Sequence, residues 1–363
     1  ICDARVEDTE PVAPAPMIED IAVADRHWPA FDATRYVPQT GQIPRIEGNI
    51  RAIELLKQLI GSGTPPTDDQ RHELLNYVGW GGNSKVLESI ERSTLGAQHD
   101  RIKALLTDEE FASARASTVT AYYTDPVVIK AMWDIVQRAG FTGGRIIEPA
   151  AGTGLFLAGM PKSIAQKSEV TAVELDKLSG RILTTVFGGL GVKAHISGVE
   201  KANVPNGFYD LAISNVPFGE HKTLETRKVG YSEWSIHNYF FGKAVDLVRP
   251  GGLIVFITSK HTMDSLSNGH RKWLDAHAEM LGAIRLPVSA FKKQANTEAV
   301  ADIIVMRKRA VPMFKDRPDW LEVGHAPEGM LEDGQALTHY DSYQRKTVEH
   351  SRPINRWYVE RPH

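Results

Sequence analysis

Short apolar runs recur along this chain at 145–148, 170–174, 194–196, 209–214, 253–258, 279–286 and 301–307, most of them followed by a segment with helical spacing. Runs so brief, alternating with helical segments, suit the strands of a parallel sheet. Helices must then cover both faces. Residues 118–310 are therefore predicted to form a seven-stranded, mostly parallel α/β sheet ending in a reversed strand pair.

The flanks read differently. Residues 1–45 carry six prolines among acids and alanines with no steady period, which predicts an extended leader. Residues 46–117 predict a helical subdomain. Ile50, Ile53, Leu55, Leu56, Leu59 and Ile60 keep helical spacing, Gly61-Ser62-Gly63 stops them, and Thr67-Asp68-Asp69-Gln70 opens the next helix. Tyr77-Val78-Gly79-Trp80-Gly81-Gly82 interrupts that region, either as a tight turn over a packed Trp80 or as a loop roofing a cleft. Residues 311–363, rich in Pro, His and Arg, predict an irregular tail. With no initiator methionine and an unremarkable His363, the chain reads as a piece of something longer.

Two stretches inside the sheet region carry chemistry. Arg145-Ile146-Ile147-Glu148-Pro149-Ala150-Ala151-Gly152-Thr153-Gly154-Leu155-Phe156 is a strand running through a glycine turn into a helix, where the backbone can approach a ligand closely. Position 157 is Leu and no Gly-Lys-Ser/Thr ending follows, which argues against a dinucleotide fingerprint and a phosphate-cradling loop. The next strand ends at Glu174, with Asp176 close behind, and an acid there typically takes ribose hydroxyls. Asp176 reads equally well as a helix cap. In Tyr209-Asp-Leu-Ala-Ile-Ser-Asn215-Val216-Pro217-Phe218-Gly219, an apolar strand delivers an asparagine to its carboxyl end. The Asn215 amide oxygen and the Val216 carbonyl can accept hydrogen bonds from an exocyclic amine. Pro217 stiffens the turn, and Phe218 offers a stacking face to a flipped base.

Together these stretches resemble the S-adenosylmethionine-dependent amino-methyltransferases, and more narrowly the gamma-type N6-adenine DNA methyltransferases, over roughly residues 118–310. Tyr122-Tyr123-Thr124-Asp125-Pro126 is similar to that family's first cofactor motif, and Asn215 to Phe218 to its Asn-Pro-Pro-Tyr/Phe motif. Phe240-Phe241-Gly242-Lys243-Ala244 through Pro250-Gly251-Gly252 to Thr258-Ser259, and Ile284-Arg285-Leu286-Pro287, Phe291 and Thr297 to Lys308, resemble its later elements. The resemblance implies a Rossmann-like class I methyltransferase fold with an N-terminal helical extension. It implies catalysis at Asn215, Val216, Pro217 and Phe218. It implies S-adenosylmethionine contacts at Tyr123, Thr124, Glu148, Ala150, Gly152, Gly154, Phe156, Glu174, Leu175, Glu200 and Asn215. Lys222, Arg227, Lys228 and Lys260 become candidates for nucleic-acid phosphates. Val216 departs from the usual first proline and costs the loop some stiffness. Glu200 stands near the place of the acid that would hold the cofactor's adenine amine, shifted by a residue or two. Gly-Trp-Gly-Gly, Asn-Val-Pro-Phe-Gly and the Asn355-Arg356-Trp357-Tyr358 segment resemble the methylase part of very large methylase–helicase polypeptides of mobile elements. That likeness implies a DNA adenine target, a helicase or target-recognition region in the same polypeptide, and a cytoplasmic, nucleoid-associated setting.

Composition trims the alternatives. The single cysteine, Cys2, excludes an intrachain disulfide framework and a Cys/His zinc cluster, and it lies far from every motif of a cysteine-nucleophile methylase. A net charge of −3 fits poorly with gripping long nucleic acid alone. Basic residues are clustered locally at Lys222/Arg227/Lys228, Arg271/Lys272, Lys292/Lys293 and Arg307/Lys308/Arg309, more in the manner of solvated faces than of phosphate contacts, except that the first cluster falls in the loop just after the Asn-Val-Pro-Phe motif, where the backbone of a flipped base would pass. No run approaches the ~20 apolar residues that span a bilayer. Methylation of cytosine N4, guanine N2 or a protein glutamine stays open beside adenine N6, as does a non-catalytic nucleic-acid-binding role. The chemistry calls for no metal.

Overall fold

The computed structural model describes residue 28 and residues 41–81, 83–88, 95–117, 124–219, 222–223, 229–287, 300–313, 318–325, 337–341, 346–350 and 353–361. The seven apolar runs form β1 (Gly144–Glu148), β2 (Ser168–Glu174), β3 (Lys193–Ile196), β4 (Tyr209–Asn215), β5 (Val248–Ser259), β6 (Ala278–Arg285) and β7 (Ala301–Lys308). They lie in one sheet in the order β3-β2-β1-β4-β5-β7-β6. Pairings from β3 through β5 are parallel, and β7 runs antiparallel to both of its neighbours. The reversed final pair thus contains one reversed strand. β7 returns from β6 and slots between it and β5.

Successive residues of each strand enter opposite cores. Ile146, Ala172, Leu211 and Val255 join one apolar cluster, whereas Ile147, Val173, Ala212 and Ile254 join the other. Burial on both faces explains why the inner strands β1, β2, β4, β5 and β7 read as largely apolar runs rather than alternating ones, whereas the edge strands β3 and β6 are mostly half-buried or exposed. The first face is covered by α1 (Gln42–Ser62), α2 (Asp68–Leu75), α5 (Pro126–Arg138) and α8 (Lys177–Phe187). On the second lie α9 (Ile236–Leu247) and α11 (Gly269–His277). The remaining α-helices among the described residues are α3 (Gly96–Leu105), α4 (Asp108–Ser117), α6 (Leu155–Ala158), α7 (Lys162–Ala165), α10 (His261–Asp264) and α12 (Arg356–Glu360).

The helical extension forms as its signals predict. Gly63 closes α1 at φ 66°, and Thr67 and Gln70 make a reciprocal capping box on α2. The Asn49 side chain donates to the Gly79 carbonyl at 2.6 Å and accepts from the Val78 amide at 2.9 Å, so the glycine turn is tied to α1. Trp80 lies fully buried beneath it, edge-on to Tyr77. That is the packed-turn alternative.

Two boundaries differ from the sequence reading. α1 begins at Gln42, within the stretch read as leader, and Trp28 is buried with its ring 5.8 Å from that of Phe187. The tail is not irregular throughout. β8 (Val323–His325) pairs with β11 (Pro353–Asn355), β9 (Leu337–Asp341) pairs with β10 (Lys346–His350), and α12 follows. Asn355 holds that segment down: its Nδ2 donates to the Met263 and Trp320 carbonyls, both at 2.8 Å, while its own amide donates to Asp264. Arg285 pairs with Asp264 and Asp302 and lies over the Tyr358 ring at 4.4 Å. No helix among the described residues is long and apolar enough to cross a membrane.

Candidate active site at the carboxyl edge of the sheet

Parallel strands β1, β2 and β4 end together, and the residues singled out by the motifs stand at those ends. Glu148 closes β1 with 1 % of its surface exposed. Its Oε2 is buried with no hydrogen-bond partner among the described residues. Burial, and then the neighbouring Glu174 carboxylate, hold its pKa well above the ordinary carboxylate range. Next comes the glycine turn. Gly152 (φ 57°) and Gly154 (φ 94°) adopt the left-handed backbone that disfavours side chains. A Cβ on Gly154 would strike the Phe187 ring at 2.5 Å, whereas a Cβ on Gly152 would meet nothing within 4 Å. Gly154 is therefore required by helix packing. Gly152 leaves open space for a ligand.

Glu174, at the end of β2, is bound to that turn. Its two oxygens accept the Gly152 and Asp176 amides, each at 2.7 Å. Desolvation nonetheless pushes its pKa up to about 7, helped by the Asp176 charge and opposed by those amides. Asp176 resolves as the helix cap, accepting from the Ser179 amide at 2.9 Å, and it also receives the Ser113 hydroxyl of α4 at 2.8 Å. Leu175 is 73 % exposed, an apolar shelf beside Glu174. Ile196, paired with Glu174 across the sheet at the end of β3, is 42 % exposed and lies against Gly180 of α8. Glu200 lies just beyond β3 with its carboxylate folded against Gly198. Ala150 and Phe156 line the turn's packed side: the Ala150 carbonyl accepts from Ser214 at 3.2 Å, and the Phe156 carbonyl accepts from the Trp133 indole at 2.9 Å.

Asn215 ends β4, the strand next to β1. Its Nδ2 donates to the buried Thr124 hydroxyl at 3.0 Å, which fixes the amide with Oδ1 as its acceptor end. The Thr-Asp-Pro and Asn-Val-Pro-Phe motifs, 91 residues apart, are thus joined side chain to side chain. Val216 is buried, and its amide donates to the Ile257 carbonyl at 3.1 Å, continuing the ladder to β5. This bond replaces some of the stiffness that a proline ring would have given. Pro217 and Phe218 are half-buried, with Phe218 packed at the margin of the first core cluster.

Among the cationic candidates, Lys222 is exposed and paired with Glu233 at 2.7 Å, and Lys260 is partly exposed just past the end of β5. Tyr122, Tyr123, Arg227, Lys228, Phe291, Lys292, Lys293 and Thr297 lie outside the described residues. Arg271 is not on a solvated face. It is fully buried and donates to the Thr262, Ser265 and Leu321 carbonyls. Lys308 and Arg309 donate to the Val248 and Asp275 carbonyls, so they too serve the fold. Among the described residues no group of three or more His, Cys, Asp or Glu is placed to hold a metal ion. Two residues escaped the sequence reading. Ile196 was visible only as the last apolar residue of its run, and His237, discussed below, gave no local signal.

The strand order, the reversed β7 and the glycine turn after β1 define the class I S-adenosylmethionine-dependent methyltransferase fold, and S-adenosylmethionine is the cofactor which that class uses. No family model matches the chain. Over 278 residues it is 31% identical to Defense against restriction protein B of Escherichia phage P1, covering 76% of this chain and 11% of that protein. It therefore spans about a tenth of that homologue's length, in keeping with the expected kinship to very large proteins of mobile elements. The rRNA N(6)-adenosine-methyltransferase metl-5 of Caenorhabditis elegans is 22% identical over 197 residues, 52% of this chain and 87% of that one. Among solved structures, the M protein of the type I restriction enzyme EcoKI is 14% identical with a TM-score of 0.46, covering 77% of this chain and 66% of that one.

Proposed function

We propose that this chain transfers a methyl group from S-adenosylmethionine to the exocyclic N6 of adenine in DNA, with the base flipped out of the helix. The observation that carries the reading is the juxtaposition of Asn215, locked by Thr124, with the Glu148–Gly152–Glu174 cleft one strand away. The residues present fit the cofactor. Glu148 has an orphaned buried oxygen, Gly152 faces open space, and Leu175 and Ile196 offer apolar surface for a purine. Glu174 would take the ribose hydroxyls, Leu175 and Ile196 would hold the adenine with Glu200 near its amine, and Glu148 would meet the polar tail. Bound there, S-adenosylmethionine supplies an electrophilic methyl group.

The protein's own part is to prepare the acceptor. An adenine N6 lone pair is delocalised into the ring and is poorly nucleophilic. The Asn215 Oδ1 and the Val216 carbonyl accept its two N–H bonds, draw the nitrogen towards tetrahedral geometry and stabilise the positive charge that develops on it. Phe218 stacks on the extruded base, and Lys222 and Lys260 meet the backbone phosphates beside it. Target choice then rests with other parts of a longer polypeptide, for which a helicase or recognition region is our reading. The metl-5 relative favours a second substrate, adenosine in RNA.

Asn215→Ala should lower methyl transfer about a hundred- to thousand-fold, by analogy with a lost oxyanion donor, and leave cofactor binding near wild type. Phe218→Ala should weaken capture of the nucleic acid by about 1–3 kcal/mol. Transfer of tritiated methyl groups to DNA and to RNA, followed by digestion to nucleosides, identifies the base and the sugar. Product in cytosine or guanine, or wild-type transfer by Asn215→Ala, would overturn the assignment.

A further inference from the structure

His237 is 1 % exposed in the first turn of α9, and the chemistry above makes no use of it. Its Nδ1 lies 3.1 Å from the carbonyl oxygen of Gly219, the residue after Phe218. A carbonyl can only accept, so Nδ1 carries the proton, and in the neutral imidazole Nε2 presents a lone pair. That lone pair faces the Ser235 hydroxyl at 3.1 Å, and the Ser235 oxygen in turn accepts from the Asn238 amide at 3.1 Å. The chain of donors runs in one direction, from Asn238 through Ser235 and His237 to the loop backbone. Ser235 is the N-cap residue of α9, yet its side chain makes no capping bond to the helix. A serine at that position ordinarily accepts a backbone amide of the helix's first turn. Here the hydroxyl is turned to the imidazole instead. Simple helix stability does not account for that choice.

We propose that His237 is a positioning residue for the Asn-Val-Pro-Phe loop, with Ser235 and Asn238 setting its tautomer. The loop is fixed at its start by the Val216 amide on Ile257 and, just past Phe218, by His237 on Gly219. Between those two points stand Pro217 and Phe218, whose place decides where an acceptor base can stack. The inference rests on the methyl-transfer reading for its kinetic consequence, but not for its structural one. Two variants separate the roles. His237→Ala removes the donor. His237→Asn places an amide N–H at the δ position and can remake the bond to Gly219.

The expected result has two parts. Hydrogen exchange in peptides spanning residues 214–219 quickens in His237→Ala and returns towards wild type in His237→Asn. Methyl transfer at limiting nucleic acid falls in His237→Ala, by as much as about a hundredfold for a misplacement near 1 Å, while the S-adenosylmethionine Kd stays within about twofold. His237→Asn recovers most of the loss. If His237→Ala does not fold, Ser235→Ala, which frees Nε2 to take the proton, should show the same exchange pattern in milder form. Unchanged exchange in the variant that folds, or a His237→Asn as impaired as His237→Ala, overturns the proposal. A wild-type chain that methylates no nucleic acid refutes the functional reading and leaves the exchange test standing.

Discussion

Position 216 ties sequence to geometry most directly. By resemblance, its valine is a departure from proline that softens the loop; in the fold, it follows the last residue of β4 with a buried side chain and an amide that donates to Ile257. Restoring the proline should therefore harm this chain. Val216→Pro deletes the donor and leaves the Ile257 carbonyl buried without it, at a cost of about 1–3 kcal/mol. Denaturant titration of the variant checks this, and unchanged stability would show that the loop can do without the bond. Asn215, Glu148 and Glu174 were legible because a polar residue that ends an apolar strand stands out in a single sequence. His237 was not legible, because its partner Gly219 is reached only through the fold.

Among the elements, the inner strands could be read from the sequence because burial on two faces writes itself as an apolar run, while the less buried edge strands β3 and β6 carry only a broken one. The tail could not. β8, β11 and α12 are short, and what holds them is Asn355, whose partners Met263 and Asp264 lie about ninety residues upstream and follow no local period. The extension's reach to the cleft was equally hidden. α4 carries Ser113 onto Asp176, whose amide holds Glu174, and the Glu110 carboxylate pairs with both Lys57 of α1 and Arg181 of α8. α4 therefore acts as a brace for Glu174, the acid that our proposal assigns to the ribose hydroxyls. Ser113→Ala should weaken S-adenosylmethionine binding by about 0.5–1.5 kcal/mol, the net worth of one hydrogen bond, with the nucleic-acid KM unmoved. Calorimetric titration beside steady-state kinetics measures both, and an unaltered cofactor Kd would confine α4 to a packing role.

At the scale of the whole molecule, two acidic side chains at the cleft oppose stability at neutral pH. Both have pKa values raised by burial, so the folded state keeps protons that the unfolded chain has released. Their favourable contribution is complete below the ordinary carboxylate pKa of 4.5, and for Glu174 it is lost as pH climbs through about 7. Thermal unfolding of wild type should therefore lose ground across that interval. Glu148→Gln, which removes one of the two charges, should gain on wild type as pH rises from 5 to 8, while it binds S-adenosylmethionine more weakly. Melting curves at several pH values test the sign, and a variant whose advantage shrinks with rising pH would contradict it. A site that costs stability in this way is what a binding function retained at the fold's expense looks like.

The insertion of β7 between β5 and β6 also governs how the molecule is made. Until β7 emerges from the ribosome, β5 ends the parallel half of the sheet with Leu253–Ile257 lacking its final neighbour. Roughly fifty residues separate the end of β5 from that of β7, so at about 5–20 residues per second the nascent sheet waits several seconds with an adhesive margin. A ribosome stalled in that interval should hold a chain that chaperones recognise and that self-associates when released, whereas one stalled far enough beyond Lys308 for β7 to have left the exit tunnel should not.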